Sequence, residues 1–466
     1  MLLAGVVGIL TLTAGCAYYN TMYNARKAYR SAEEVPRMPD GSINRTAYAS
    51  YDEVIEKCEA LIAQHPDSKW VDDAILMMGK AHYRKNELDK AITRFDELQK
   101  DHPESELLGE AQMYLAKTLV AKDHPDQAVP LLQAIFERNP KNKFADEILF
   151  LLGTNLVRID QEKEALQYLE ILAETYPNST FRVDADLEIA DLYLERGAYE
   201  KSLAVFRKLS GVKLSNENLI RFLTKLAEAQ VKIGRYPAAL RTFTVLERFV
   251  VKDTEKASQM LYKGQALVGL DSLAAGIEVF EAVAVTYPRS IFSAEASYRL
   301  GVVYQEKLDS LDVAKAKFDQ VPRQYSQSSY APEAIRRSVS ITKLQKLRES
   351  LGKGGGEDKA GVQFDLSEVQ LFQFSDYEKA LEGYNVILDQ YPNSEIAPKA
   401  AYAVAYIYES LLKDPVRAKA AYLVVVQRYP ESQQAVYARR YLGLEVEQDA
   451  PAAPDSLDSA SMGEEP

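Results

Sequence analysis

The chain has 466 residues, 47% of them apolar and 27% charged, and its net charge is −12. It can bury a large core but is too long for one compact domain of ordinary size. The negative balance argues against nucleic acid as a partner, because a nucleic-acid surface needs a basic face. Two cysteines and four histidines without zinc or redox spacing give no metal motif, so we expect no metal and no cofactor.

Residues 1–15 have the pattern of a secretory signal peptide. The apolar run over 2–12 is too short to span a bilayer, and it leads into small residues before Cys16. The segment 12–16, Leu-Thr-Ala-Gly-Cys, resembles a bacterial lipobox, in which the cysteine is lipidated and becomes the first mature residue. Several acyl chains on Cys16 would anchor the protein stably. An uncleaved anchor or an unmodified cysteine is the alternative. We expect residues 16–43 to form the anchored segment and the first helix.

A proline that follows an aromatic residue, His or Asn marks an internal repeat. Pro66, Pro103, Pro140 and Pro177 are 37 residues apart, and Pro288 follows three periods later. We call each of these prolines, and the equivalent position in repeats that lack the proline, a pivot. Two positions after every pivot stands a residue type that commonly caps helices, and this includes the two repeats without the proline. The predicted caps are Ser68, Ser105, Asn142, Ser179, Asn216, Asp253, Ser290, Ser328, Ser394 and Ser432. The pattern predicts that one helix ends and the next begins within a few residues.

Small and large residues recur in register with the prolines. Gly79 and Gly153 lie thirteen positions after a pivot, and Phe95 and Leu169 lie eight positions before one. A small residue lets two helices approach closely, and a large one fills the adjacent space. Because Gly inside a helix costs up to ~1 kcal/mol relative to Ala, its recurrence predicts a packing contact. Cys58 occupies the large position, so we expect a buried thiol.

Gly79, Ala91, Phe95 and Pro103 match the order and spacing of conserved positions in the tetratricopeptide repeat. The 37-residue form, with its Tyr-Pro turn, resembles the repeats of outer-membrane lipoproteins in the family of the D subunit of the β-barrel assembly machinery. It also resembles those of the Tol-Pal-associated periplasmic coordinator protein. The resemblance covers about residues 44–445. It implies an all-α tetratricopeptide-like α-solenoid (superhelix) of about ten helical hairpins.

The period divides the chain into segments. Residues 44–351 are predicted to form the main solenoid, and 375–445 two C-terminal repeats. The stretch 352–374 is predicted to be a flexible insertion, because its Gly/Lys run lacks the Gly-Lys-Ser/Thr ending and the preceding strand of a phosphate loop. Residues 446–466 hold six acidic residues and no Lys or Arg, and we expect a disordered acidic tail.

No catalytic order of Ser, His and Asp and no nucleotide loop is found, so we predict no enzyme and no small-molecule substrate. The resemblance implies that the first helix of each pair lines an inner groove. Its candidate residues here are Asp73, Leu76, Lys80, Tyr83, Met113, Lys117, Phe150, Asp184, Leu187, Asp191 and Tyr298. Such a mixed surface suits an extended peptide or a partner's helix.

These features predict a membrane-tethered scaffold that binds envelope proteins or peptides. We place it on the periplasmic face of the outer membrane, held there by the lipid at Cys16. Outer-membrane protein assembly is the favoured role. The alternative is an adaptor with the same fold in a cell-wall, secretion or gliding apparatus.

Overall fold

The computed structural model describes residues 20–38, 42–249, 252–352 and 358–444. Its regular structure within these ranges is helical throughout. Two compact units are formed, Met1–Val250 and Val251–Pro466. The chain therefore divides near residue 250, whereas the sequence pattern predicts a division at 352–374. Cys16 and the acidic tail 446–466 lie outside the described residues.

The first unit holds twelve described helices, α1 to α12. The first, α1, is helical over 20–34. The others, α2 to α12 in chain order, are Arg45–Gln64, Val71–Arg84, Leu88–Asp101, Leu108–Ala121, Pro125–Arg138, Ala145–Arg158, Glu162–Thr175, Arg182–Glu195, Tyr199–Leu209, Asn216–Lys232 and Tyr236–Leu246. The placement of α1 agrees with the expectation of a first helix behind Cys16.

The described part of the second unit holds ten α-helices and two π-helical turns. Helices α13 to α22 in chain order are Asp253–Gly269, Leu273–Thr286, Ile291–Glu306, Leu311–Gln324, Ala331–Gly352, Lys359–Glu368, Tyr377–Gln390, Ala397–Tyr406, Pro415–Arg428 and Gln433–Leu442. The π turns, Val369–Gln373 and Ile407–Leu411, extend α18 and α20. From α1–α2 to α15–α16, each odd-numbered helix forms a hairpin with the helix that follows it. Helices α18 and α19 form a further hairpin, and so do α20 and α21. Ten hairpins result among the described residues, as predicted, with α17 and α22 unpaired.

The core of each hairpin is built where the small residue of its first helix meets the large residue of its second. A Cβ on Gly264 would lie 2.6 Å from Cε1 of the Phe280 ring, and one on Gly301 would lie 2.5 Å from Cε1 of Phe318. Both rings are buried. These glycines are therefore required by the close approach, as their spacing predicts. Cys58 is also buried, as expected, and burial raises the pKa of its thiol to about 12.

The predicted caps are only partly right. Ser290 and Ser432 cap their helices by accepting the backbone N–H three residues on, at 3.2 and 3.1 Å. Ser68 instead lies three residues before α3 and accepts the N–H of Trp70, two residues on, at 3.3 Å. The same tight turn recurs at Ser105, Asn142, Ser179 and Ser328. This geometry competes with a true N-cap, because short polar side chains readily bond the backbone two residues away.

Three further cap predictions are corrected. Asn216 is the first residue of α11, and its neighbour Ser215 accepts the capping bond at 3.2 Å. Asp253 is the first residue of α13, which begins without a side-chain cap. Ser394 donates its hydroxyl to the carbonyl of Tyr391 at 2.8 Å, which closes the turn from the other side.

The predicted insertion at 352–374 is helical over most of its length. Helix α18 and its π turn bury Phe364, Leu366 and Leu371, and apolar burial of this kind outweighs the entropy of a free chain. Residues 353–357 lie outside the described part. The extra element is α17, whose Val339 is 62% exposed at the predicted small position. Ser367, which is fully buried, takes the small position instead.

Candidate protein-binding surface

The predicted groove residues lie on the first helices of the hairpins, here called A helices. Ten of the eleven belong to α3, α5, α7 and α9 in the first unit. Three of these predictions are wrong: Leu76, Met113 and Leu187 are 6%, 0% and 1% exposed. These side chains point into the hairpin core, because an A helix packs both on its own partner and on the neighbouring hairpin. The rest are partly buried.

Several charged candidates form a ladder of ion pairs between successive A helices. Its rungs are Arg26–Asp73 at 2.5 Å, Lys80–Glu110 at 2.9 Å, Lys117–Glu147 at 2.6 Å and Arg221–Asp191 at 2.6 Å. The middle two rungs have side-chain exposures of 18–22%, so water screens them incompletely. The mixture of charge signs predicted for the groove is thus largely a set of internal pairs.

Tyrosines lie directly beside the ladder. The ring centroids of Tyr83 and Tyr114 are 5.9 Å apart in an edge-to-face arrangement. The Lys80 ammonium lies 4.8 Å from the Tyr114 ring centroid, and that of Lys117 lies 5.1 Å from it. Cations at these distances from an aromatic face are attracted by its quadrupole. Tyr83 and Tyr114 therefore form an aromatic strip, and Lys80 and Lys117 lie beside it in fixed positions.

Tyr114 is a member of this surface that the sequence analysis missed. It lies four residues after Glu110 and three before Lys117, so the three share one face of α5. That spacing was a usable signal. Burial raises the pKa of Tyr114, which keeps its hydroxyl neutral at physiological pH.

Glu110 is a carboxylate of the ladder that pairs with two lysines. It accepts hydrogen bonds from Lys80 at 2.9 Å and from Lys143 at 2.6 Å. Burial raises its pKa, but the two lysines outweigh burial and leave the pKa below its usual range. Glu110 is therefore ionised at neutral pH and keeps both lysines in place.

The ladder changes character between α7 and α11. Phe150 stacks on Phe181 with ring centroids 5.2 Å apart, and among the described residues no ion pair joins α7 to α9. Asp184 accepts from the Asn218 amide at 2.9 Å. Asp191 then pairs with Arg221. In this rung the carboxylate precedes the cation along the chain, which is the reverse of the order in the three earlier rungs.

The last candidate, Tyr298, lies on α15 in the second unit. Its ring is 5.0 Å from that of Tyr330 and 5.8 Å from that of Phe318. It therefore serves mainly as a packing residue there. Over the residues that the structure describes, no His, Cys, Asp and Glu cluster has the geometry of a metal site. In the same residues, no helix is long and apolar enough to cross a membrane.

Comparison with family models agrees with this architecture. Residues 78–208 match the family described as outer membrane lipoprotein. The tetratricopeptide repeat model matches 295–328, 362–394 and 399–432, which coincide with α15–α16, α18–α19 and α20–α21 and omit α17. The described residues thus form an all-α fold of tetratricopeptide-like helical hairpins. Its resemblance to tetratricopeptide-repeat outer-membrane lipoproteins is confirmed.

Two solved structures that this chain matches are described as tetratricopeptide repeat proteins. A tetratricopeptide repeat protein from Parabacteroides merdae is 12% identical, with 68% of this chain and 99% of that chain covered and a TM-score of 0.38. The C-terminal part of a repeat-containing protein from Cytophaga hutchinsonii is 15% identical, with coverages of 55% and 97% and a TM-score of 0.42. The comparison with curated proteins finds no match.

The two family matches support a protein-interaction scaffold of the cell envelope. The lipoprotein match runs from the middle of α3 to the end of α10. It therefore contains the tyrosines, the two lysine rungs and the Phe150–Phe181 stack.

Proposed function

We propose that the protein is a lipid-anchored, non-enzymatic scaffold on the periplasmic face of the outer membrane, with a role in outer-membrane protein assembly. The observation that carries this proposal is the coincidence of two features in one stretch. Residues 78–208 match an outer membrane lipoprotein family, and the same stretch carries the aromatic strip and two of the four rungs of the charge ladder.

The strip is suited to a peptide or helix of a partner protein. Tyr83 and Tyr114 offer rigid rings with little conformational entropy to lose on binding. Lys80 and Lys117 are already held by Glu110 and Glu147 within 2.9 Å, so they need no reordering when a partner arrives. An acidic partner side chain would share a lysine with its internal carboxylate, whereas apolar partner groups would cover the rings.

Site-specific photocrosslinking in intact cells tests the proposal. A photoreactive amino acid at position 83 or 150 should capture a partner that mass spectrometry identifies as a subunit or client of the β-barrel assembly machinery. The matched controls carry the same group at position 171 or 245, exposed positions on α8 and α12. Capture of cell-wall, secretion or gliding components would favour the alternative adaptor. Equal capture at all four positions would contradict a binding surface on the A helices.

Charge reversal provides the second arm. Lys117→Glu should abolish capture at position 83, because it places a carboxylate beside Glu147. Lys163→Glu on the exposed part of α8 is the control. Circular dichroism of both variants checks that the helices remain. Membrane attachment is tested separately: after a high-salt wash, which weakens electrostatic contacts, a Cys16→Ala protein should leave the outer-membrane fraction whereas the unaltered protein should stay.

A further inference from the structure

The exposed face of α1 carries a stripe of one aromatic and two basic residues. Tyr23, Lys27 and Arg30 are spaced as successive turns of one helix face, and all three are exposed. Tyr23 alone is 56% exposed. The opposite face of α1 is packed in the core through Met22 and Ala25. One face of this helix thus belongs to the solenoid, and the other is open. We call the open stripe the basic face of α1.

A cavity of about 260 Å³ adjoins the basic face. Its lining residues are Met22, Tyr23, Arg26, Lys27, Arg30 and Trp70. The guanidinium carbon of Arg26 lies 4.7 Å from the Trp70 ring centroid, and the Lys69 ammonium lies 5.2 Å from it. The indole is therefore held between cations at the edge of the cavity. A ligand here meets an aromatic wall and positive charge together.

The positive charge of this region is incompletely neutralised by the protein. Arg26 pairs with Asp73 at 2.5 Å. Lys27 and Arg30 make no ion pair with any residue that the structure describes. The whole chain carries a net charge of −12, so a local surplus of cations opposes the average. A fixed surplus of this kind favours an anionic ligand.

We propose that the basic face of α1 and its cavity bind the phosphodiester headgroup of an anionic phospholipid. Cations with an exposed aromatic residue suit the boundary between headgroups and acyl chains. Tyr23 follows Cys16 by seven residues, which span about 25 Å at most when extended. The membrane source of the phosphodiester rests on the tethering in the proposed function. A lipidated Cys16 would hold the basic face within reach of the bilayer surface.

Headgroup binding would give the scaffold a second membrane contact. A single lipid anchor leaves a protein free to rotate about its tether, whereas two contacts define which side faces the bilayer. The basic face would then orient α1 against the membrane while its buried face holds the first hairpin.

Vesicle binding of the full chain carrying Cys16→Ala tests this inference without the lipid anchor. The protein is sedimented with vesicles of phosphatidylcholine alone, or of phosphatidylcholine and phosphatidylglycerol in equal parts. We expect stronger binding to the anionic vesicles than to the neutral ones. This excess binding should decline between about 0.1 M and about 1 M salt, because the electrostatic screening length becomes shorter. Added Lys27→Gln and Arg30→Gln should lower the excess roughly 20- to 30-fold, since each cation near an anionic surface contributes about a factor of five.

The matched control replaces two exposed cations on α10, Arg207→Gln and Lys208→Gln, in the same background. It should leave the excess unchanged. Equal loss in both double variants, or equal binding to the two kinds of vesicle, would overturn the inference. Because no partner protein is present, these outcomes are independent of the crosslinking result.

Trp70 supplies a direct reading of the cavity, because it is the single tryptophan of the chain. Its fluorescence should change on addition of anionic vesicles, and brominated acyl chains should quench it. Inorganic phosphate at matched concentration should leave it unchanged. A response to phosphate without a response to vesicles would identify a soluble anion site and refute the lipid assignment.

Discussion

In the first unit neighbouring A helices are joined mainly by ion pairs, whereas tyrosines connect the two helices of the last hairpin, α20–α21, and join that hairpin to α22. Tyr402 lies 5.6 Å from Tyr422 and 6.1 Å from Tyr437, and Tyr422 lies 4.3 Å from Tyr441, measured between ring centroids. Both regions keep the same hairpin core of a small residue against a large one. The small-against-large core therefore defines the repeat, while the groups that join successive helices can differ from one region to the other.

The largest expected effect tests whether the core is shared. Phe95 and Tyr384 are 0% and 1% exposed at equivalent positions. Phe95→Ala and Tyr384→Ala should each lower the free energy of unfolding by about 3–5 kcal/mol. Urea unfolding measures the loss, and hydrogen exchange localises it, because repeat arrays need not unfold as one unit. Ile171→Ala, at an exposed site, should cost less than ~0.5 kcal/mol. A much smaller loss of unfolding free energy for Tyr384→Ala than for Phe95→Ala would show that the C-terminal core differs.

Glu87 tests the dependence of the first unit on charge. Burial raises its pKa, but hydrogen bonds from Lys85 and His82 outweigh burial and lower the pKa to about 2. A pKa lowered on folding gives stability that is present above the unfolded value of 4.5 and lost as the pH falls toward 2. Glu87→Gln should therefore lower stability at pH 7 by about 2 kcal/mol and flatten the acid limb. Unfolding by denaturant across pH 2–7 measures both effects. An unchanged acid limb would contradict this reading.

Tyr422 provides the corresponding test in the C-terminal hairpins. Its hydroxyl donates to the Glu409 carboxylate at 2.6 Å, and burial, followed by this bond, raises its pKa. A pKa raised on folding gives stability that is present below the unfolded value of 10.0 and lost as the pH rises above it. Tyr422→Phe should cost about 1 kcal/mol at pH 7 and make the alkaline decline shallower. Tyr441→Phe, at an exposed position, is the control. An equally large loss of stability in that variant would contradict a stabilising role of the Tyr422–Glu409 hydrogen bond.

The smallest expected effect is the coupling across one rung. A double-mutant cycle with Lys80→Met and Glu110→Gln should give about 0.5–1 kcal/mol at low salt and less at about 1 M salt. The more exposed pair of Lys57 and Glu53, 3.2 Å apart within α2, should couple by less than ~0.5 kcal/mol. A rung that couples no better than this pair would mean that the ladder positions side chains without stabilising the fold.

The fold was predictable because its packing contact is local in sequence. Gly79 and Phe95 lie on consecutive helices, α3 and α4, that are joined by one short turn. A single repeat period is therefore enough to reveal their contact. The insertion was not predictable in the same way. Glycines and lysines near 352–359 indicate a linker, but the burial that makes α18 helical comes from α17 and α19.

The turn between the two helices of a hairpin was a missed signal. Asn86, Asp123, Asp160, Gly197 and Gly234 recur every 37 residues, and each has a positive φ of 58–75°. These residue types tolerate the left-handed conformation best. The two C-terminal hairpins depart from the rule: after each π turn the left-handed residue is Ser375 or Lys413.

The surface was predictable only in part. Lys80 and Lys117 were found because the resemblance places them on A helices, but their partners Glu110 and Glu147 were not named. Leu76 was assigned to the same face incorrectly, because a helix position alone does not tell which side chains the next hairpin covers. That information is in the contacts between repeats, which are 30 residues apart along the chain.

The ladder also bears on how such a chain can gain or lose repeats. Lys80 and Lys117 are one period apart, as are Glu110 and Glu147. Deletion of residues 81–117 would bring Lys80 opposite Glu147 and restore a rung of the same polarity. Deletion of 118–191 would instead bring Lys117 opposite Arg221, with two cations facing each other. Duplication and loss of whole repeats are therefore electrostatically neutral between α3 and α7, and disfavoured across the reversal at α9.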